Sequence, residues 1–198
     1  MNRIEPPRIY TCAEWSARPV TRVFPAAPAV GIVTHHTTSP NVTPLSNEDA
    51  ERERCFRLAR AIQQEHMNRK PPYADTGQHF LLTRSGLILE GRHGSLAAAK
   101  RGRCVQGAHS GVAAINRQWL GIEWEGRYDQ EFLVTPVQWA MGVRLCAWLA
   151  FWGRFDTASN EPHRHFKATA CPGLLARHLP ELRREAHDLK VQILASAP

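Results

Sequence analysis

No apolar run in the 198 residues reaches the roughly 18–20 consecutive positions that a membrane-spanning helix needs. The opening stretch, MNRIEPPRIYTCAEW, lacks the apolar core of a secretory leader. That leads us to expect a cytoplasmic protein, one freed by lysis or a non-Sec route, or a chain whose leader has been removed. Cysteine is sparse and odd in number: Cys12, Cys55, Cys104, Cys146 and Cys171 are irregularly spaced, which is no disulfide framework. Cys146, inside VRLCAWLAFW, reads as a buried thiol. Internal repeats and low-complexity tracts are absent. So are a long basic arm and any nucleic-acid-binding signature, although the net charge is +7. The basic residues are scattered, RERCFRLAR and KRGRC being short and mixed, so nucleic acid is not expected as a partner. A solvated surface and an anionic partner, whether a membrane surface or a cell-wall polymer, both fit that charge.

What is present is ordinary for a globular domain: 43% hydrophobic and 22% charged residues, in a chain long enough to bury one sizeable core. Residues 1–28 are Pro-rich and read as a segment wrapping a domain over 29–198. Residues 30–34 (VGIVT) read as a short buried strand running into His35. Asn47, followed by Glu48, Asp49 and Glu51, is an N-cap with an acidic first turn, predicting a helix over 48–68. Its buried face would carry Cys55, Leu58, Ala59 and Ile62. QHFLLTRSGLILEGR reads as two strands joined around Ser85-Gly86, and residues 118–126 as another strand. Thr135-Pro136 opens a helix ending at Gly153, and a last amphipathic helix runs from near Pro172-Gly173 towards 194. Residues 156–173 between them read as a loop. Strands interleaved with helices predict an α/β domain, a mixed central sheet flanked by helices.

Three residues could meet at one metal. His35 ends a buried strand, and His163 and Cys171 share one loop, eight positions apart. Zinc takes His nitrogen and Cys sulfur tetrahedrally, and a catalytic site keeps its fourth position open. Spacing alone leaves the other reading standing: ten histidines offer many accidental pairings, and most single histidines pack or cap.

The order of several short motifs is more specific. Thr11-Cys-Ala-Glu-Trp-Ser-Ala-Arg18 resembles S-R-x-E-W-G-A-R, and Val33-Thr-His-His-Thr37 resembles V-x-H-H-T. Thr76-Gly-Gln-His-Phe-Leu81 resembles G-Y-H-F-L/I, and residues 86–92 resemble G-x-I-x-E-G-R. Gly107-Ala-His-Ser110 resembles G-A-H-A, and Leu120-Gly-Ile-Glu-Trp-Glu-Gly126 resembles I-G-I-E-x-E-G. Residues 162–173, PHRHFKATACPG, resemble G-H-R-D-x-x-x-T-x-C-P-G. In this order they resemble the peptidoglycan-recognition and N-acetylmuramoyl-L-alanine amidase type 2 family. The resemblance implies that family's fold and a zinc ion held by His35, His163 and Cys171. His36 would face the other side of the strand, and His165 stands where the family usually has Asp.

Many members of the family carry a Tyr where this chain has Gln78, which cannot shuttle protons. One branch lacks that Tyr and has a carboxylate where this chain has Glu123, so the resemblance assigns the general base to Glu123. Strand alternation puts Glu123 and Glu125 on one face and Ile122 and Trp124 on the other, leaving open whether the acids face the site or water. Thr169 is a candidate contact to the substrate carbonyl oxygen or else a hydroxyl that shapes its loop. His109, Gln78 and Lys167 are candidate substrate contacts, His109 with the alternative of a buried, hydrogen-bonded imidazole. The implied function is zinc-dependent hydrolysis of the bond between N-acetylmuramic acid and L-alanine in peptidoglycan or muropeptides. The alternatives are a recognition module that binds muropeptides without cutting, and an unrelated structural zinc domain with His165 as fourth ligand. Oligomeric state is not legible.

Overall fold

The computed structural model describes residues 4–196, so the first three residues of the expected wrapping segment and the last two of the expected domain lie outside the described residues. Eight strands and five helices follow in chain order: β1 Ile9–Tyr10, β2 Ala26–Pro28, β3 Gly31–His36, α1 Glu48–Asn68, β4 Phe80–Leu82, β5 Ile88–Glu90, α2 Ser95–Ala99, β6 Arg103–Val105, α3 Ala113–Gln118, β7 Trp119–Trp124, α4 Pro136–Gly153, β8 Asn160–Pro162 and α5 Leu175–Ser196. Six strands form one mixed sheet in the order β1-β5-β4-β7-β3-β8, in which only the β4–β5 pair is antiparallel. β2 and β6 form a separate antiparallel pair.

Side-chain alternation sorts the core into two layers. Ile32, Phe80, Leu82, Ile88, Leu120, Ile122 and Trp124 pack with Leu145, Leu149, Leu179 and Leu182 of α4 and α5. On the other face Leu81 and Leu89 meet Cys55, Phe56 and Ala59 of α1, with Trp15 enclosed beside them. α4 is apolar almost all round because it lies between the sheet and α5, and Cys146 is buried there.

The local signals act as expected at several boundaries. The Asn47 side chain accepts a hydrogen bond from the Ala50 amide at 2.9 Å, and the Thr135 hydroxyl accepts from the Gln138 amide at 3.1 Å with Pro136 in the first turn. One expectation changes. Residues 156–173 are not simply a loop: Asp156 caps a short 3₁₀ turn, and β8 then pairs parallel with β3, matching Thr34 with Pro162. Among the described residues no helix is long and apolar enough to cross a membrane.

Candidate functional site

The site forms at the carboxyl ends of the neighbouring parallel strands β7, β3 and β8, where open α/β sheets characteristically place ligands. β3 places His35 beside Glu123 of β7, its partner in the ladder. β8 pairs with β3 up to Pro162, so the following residue, His163, emerges next to His35, with ring centroids 4.5 Å apart. The chain returns to the same point because the Arg164 amide donates to the Cys171 carbonyl at 3.0 Å and the Arg164 guanidinium donates to the Ala170 and Gly173 carbonyls. Gly173 closes the return at φ +67, where a Cβ would collide with the Tyr128 carbonyl.

One ligand atom each from His35, His163 and Cys171 lies within 4.8 Å of the others, the only group of three or more such side chains among the described residues that could hold a metal ion. The hydrogen bonds around them fix which nitrogen is free. Carbonyls only accept, so the Trp119 carbonyl, 3.0 Å from His109 Nε2, puts the proton of neutral His109 there. His109 Nδ1 then accepts from His35 Nε2 at 2.9 Å, which leaves the Nδ1 lone pair of His35 facing Cys171 Sγ at 3.8 Å. In the same way the Ser110 carbonyl takes the Nε2 proton of His163 at 3.1 Å and frees its Nδ1. Two nitrogen lone pairs and one thiol sulfur, each imidazole fixed by an outer partner, fit a zinc ion with an open coordination position.

Burial sets the charge state. It pushes His35 well below the ordinary imidazole value, reinforced by His163, His36 and His79, and it lowers His163 too. Burial thus favours the neutral form of both imidazoles, the form that can ligate a metal. Burial pushes the Cys171 thiol up to about 12, with the Glu123 carboxylate adding to the rise.

Glu123 faces the α1 side of the sheet, opposite Ile122 and Trp124, which pack against α4 and α5. Its Oε2 is enclosed without a hydrogen-bond partner, while the rest of the side chain lines a cleft of about 100 Å³. Burial, with Glu65 adding negative charge, lifts its pKa to about 8. Glu125 shares that face but is committed elsewhere. Arg54 of α1 reaches it at 2.5 and 3.0 Å, and the Arg84 amide donates to it at 2.8 Å.

The other expected residues separate. His109 and Gln78 line the cleft with Glu123 and His35. Thr169 is exposed, and its hydroxyl accepts from the Cys171 amide at 3.2 Å, so it shapes the loop that carries the thiol. Lys167 is exposed on the His163 side, where its charge helps to lower that imidazole. His36 turns away and accepts from the Tyr128 amide at 3.2 Å, and His165 lies exposed on the rim, 3.8 Å from a Glu161 oxygen.

Sequence reasoning missed His66, Arg69 and Tyr73, which complete the cleft wall. The Arg69 guanidinium lies over the Tyr73 ring, 4.6 Å from its centroid, and donates to its hydroxyl at 2.9 Å. His66 Nδ1 accepts from the Gly77 amide at 3.1 Å. These residues straddle the end of α1 and the turn after it, between the motifs. The one available signal was a His, an Arg and a Tyr clustered around a Pro-Pro turn.

The N-acetylmuramoyl-L-alanine amidase family profile, Amidase_2, matches residues 25–174. Among solved structures, wild-type Drosophila PGRP-LB superposes with a TM-score of 0.68 at 26% identity, covering 88% of this chain and 92% of that one. A Tyr-to-Phe variant of PGRP-LB in complex with tracheal cytotoxin gives 0.66 at 26% identity, covering 84% and 88%. The endolysin N-acetylmuramoyl-L-alanine amidase LysCS from Clostridium intestinale gives 0.53 at 23% identity, covering 85% and 89%, a likeness of fold. No curated protein sequence matches the chain. With the profile spanning well over half of its length, the chain belongs to the peptidoglycan-directed N-acetylmuramoyl-L-alanine amidase family, Amidase_2.

Proposed function

We propose that this chain is a zinc-dependent amidase that cuts the bond between N-acetylmuramic acid and L-alanine in peptidoglycan or its muropeptide fragments. The observation that carries the reading is the convergence of His35, His163 and Cys171 beside the enclosed, unpaired carboxyl oxygen of Glu123. A zinc ion held there would supply Lewis-acid polarisation of the scissile carbonyl and lower the pKa of water to about 7.

This chain's residues do the rest. Glu123, with a pKa near 8 in the metal-free protein, is poised to exchange a proton close to neutral pH. As carboxylate it takes a proton from the attacking water on an Oε atom. As carboxylic acid it returns that proton to the departing amide nitrogen of L-alanine. Gln78 has no proton to give, so the acid–base work falls to Glu123. His109 holds His35 in one tautomer. The wall of His66, Arg69 and Tyr73 offers an imidazole, a cation and a phenol to the peptide stem. The likeness to PGRP-LB, solved with tracheal cytotoxin, supports a muropeptide as occupant of this cleft.

That likeness also favours a second reading, a recognition module that binds without cutting. The complete donor set and the enclosed carboxyl support hydrolysis instead. Purified protein should carry zinc and, incubated with peptidoglycan, should release stem peptides bearing a free N-terminal L-alanine. Binding to the wall with no release of peptide would overturn the amidase reading in favour of recognition.

A further inference from the structure

His35 lies on β3 and His163 follows the end of β8, yet the outer partners that orient them are adjacent in the chain. His109 accepts the Nε2 proton of His35, and the Ser110 carbonyl accepts the Nε2 proton of His163. The geometry of both proposed ligands therefore depends on one two-residue turn. That turn is held by the side-chain oxygen of Asn116, on α3. Asn116 Oδ1 accepts from the His109 amide at 3.0 Å and the Ser110 amide at 2.9 Å, and the Ser110 hydroxyl lies 2.9 Å away. The Asn116 carbonyl also accepts from the Gly107 amide at 2.7 Å, which fixes the entry to the turn. Two backbone donors point at the same atom, so the amide orientation of Asn116 is determined: the oxygen faces the turn.

We propose that Asn116 is a positioning residue for the metal centre, one side-chain oxygen that sets the turn orienting both imidazole ligands at once. This rests on the zinc reading above. The physical argument is one of leverage. An outer partner that fixes one ligating imidazole is typically worth about 10–100-fold in metal affinity. Asn116 touches neither imidazole but sets both partners, so losing its oxygen releases two ligands together. α3 buries none of its residues fully, which makes a purely packing role for Asn116 a poor account of three donors converging on one oxygen. Neither the metal-ligand pattern nor the acid–base pattern in the sequence points to this residue.

The test uses the full chain and three variants. Asn116→Gln keeps an amide and helix propensity but moves the oxygen by one methylene. Asn116→Asp keeps an acceptor at the same place. Arg117→Ala, exposed on the same helix, controls for loosening of α3. Zinc affinity is read by chelator competition. The imidazole tautomers are read by nitrogen-15 NMR in the metal-free protein, and folding by circular dichroism. The expected result is a zinc affinity about 10–100-fold weaker in Asn116→Gln, with loss of the single Nε2-protonated form of His35 and His163. Asn116→Asp and Arg117→Ala should stay within about threefold of wild type, since each leaves the acceptor position filled. Unchanged zinc affinity in Asn116→Gln, with the wild type binding zinc, overturns this inference and leaves the amidase reading intact. Failure of Asn116→Gln and Asn116→Asp to fold would also overturn it, making Asn116 a residue of the fold. A wild-type chain that takes up no zinc overturns the amidase reading and this inference with it.

Discussion

His35 and Glu123 are register partners on adjacent parallel strands, so the first proposed metal ligand and the enclosed carboxyl project from the same face, one strand spacing apart. Their separation is fixed by the β3–β7 ladder and not by a loop, the arrangement that holds reacting groups most rigidly.

Removing the carboxyl without touching the metal donors tests the division of labour. Glu123→Gln is nearly isosteric and keeps the hydrogen-bonding capacity of the side chain. Zinc content should stay at the wild-type level while release of stem peptides falls by about 10²–10⁴-fold, the usual contribution of a positioned acid–base group. Burying a neutral amide in place of an unpaired carboxyl should not destabilise the fold. Unchanged turnover in Glu123→Gln would remove Glu123 from the chemistry.

Cys171 and the other thiols should behave differently. Cys12, Cys55, Cys104 and Cys146 are buried away from the cluster, whereas Cys171 lies in it. Cys171→Ala should lose zinc and activity together, weakening metal binding by more than the roughly 100-fold that loss of an outer partner can cost. Cys55→Ala should keep its zinc and show only reduced stability. Metal analysis of the two purified variants, paired with the peptide-release assay, checks both. Full zinc in Cys171→Ala would remove the sulfur from the ligand set.

An acid-sensitive anchor lies beside the site. Burial alone would raise the pKa of Glu51, but hydrogen bonds from Arg54, the Leu45 amide, Ser85 and Cys55 outweigh it and hold the carboxyl at about 2 against an ordinary 4.5. A carboxylate with a depressed folded-state pKa stabilises the protein above its unfolded value. That contribution is lost as pH falls from about 4.5 towards about 2. A shift of this size corresponds to about 3 kcal/mol. Arg54, which Glu51 holds within α1, also reaches Glu125 at 2.5 Å, just past the end of β7. Chemical denaturation followed across pH should show wild-type stability falling steeply in this window. Glu51→Gln should be less stable at neutral pH and show a flatter acid limb. An acid limb that is the same in both would remove Glu51 as its source.

Much of this arrangement was legible in the residues, for identifiable reasons. α1 and α4 announce themselves through Asn47 and through Thr135-Pro136, where side chains satisfy first-turn amides. β3 and β7 show as apolar runs because both are buried. The ordering of His35, Glu123, His163 and Cys171 within family motifs gave the candidate site, and alternation gave the shared face of Glu123 and Glu125. β8 was not legible: Asn160-Glu161-Pro162 has no strand signature, and its conformation comes from pairing with β3. Yet that pairing delivers His163 to His35. α3 was equally silent because it has no fully buried residue and hence no apolar face. His66 and Tyr73 escaped notice because only the fold turns the end of α1 towards the cleft.

The packing behind Glu123 yields a prediction against the ordinary rule for helices. Gly142 lies inside α4, where replacing glycine by alanine normally gains about 1 kcal/mol of helix propensity. Here a Cβ at Gly142 would run into the indole of Trp124, which is fully buried and adjacent in β7 to Glu123. The ring is confined by the core on one side and Trp139 on the other, with the two indole centroids 6.2 Å apart. Overpacking of this kind costs about 1–3 kcal/mol, enough to offset the propensity gain or exceed it. Gly142→Ala should therefore be no more stable than wild type, and up to about 2 kcal/mol less stable. For a chain of this size that lowers Tm by up to about 4–8 °C. Scanning calorimetry of the two proteins decides the matter. A higher Tm in Gly142→Ala would mean that Trp124 has room to move, and that β7 and the carboxyl it carries are held less rigidly than the ladder with β3 implies.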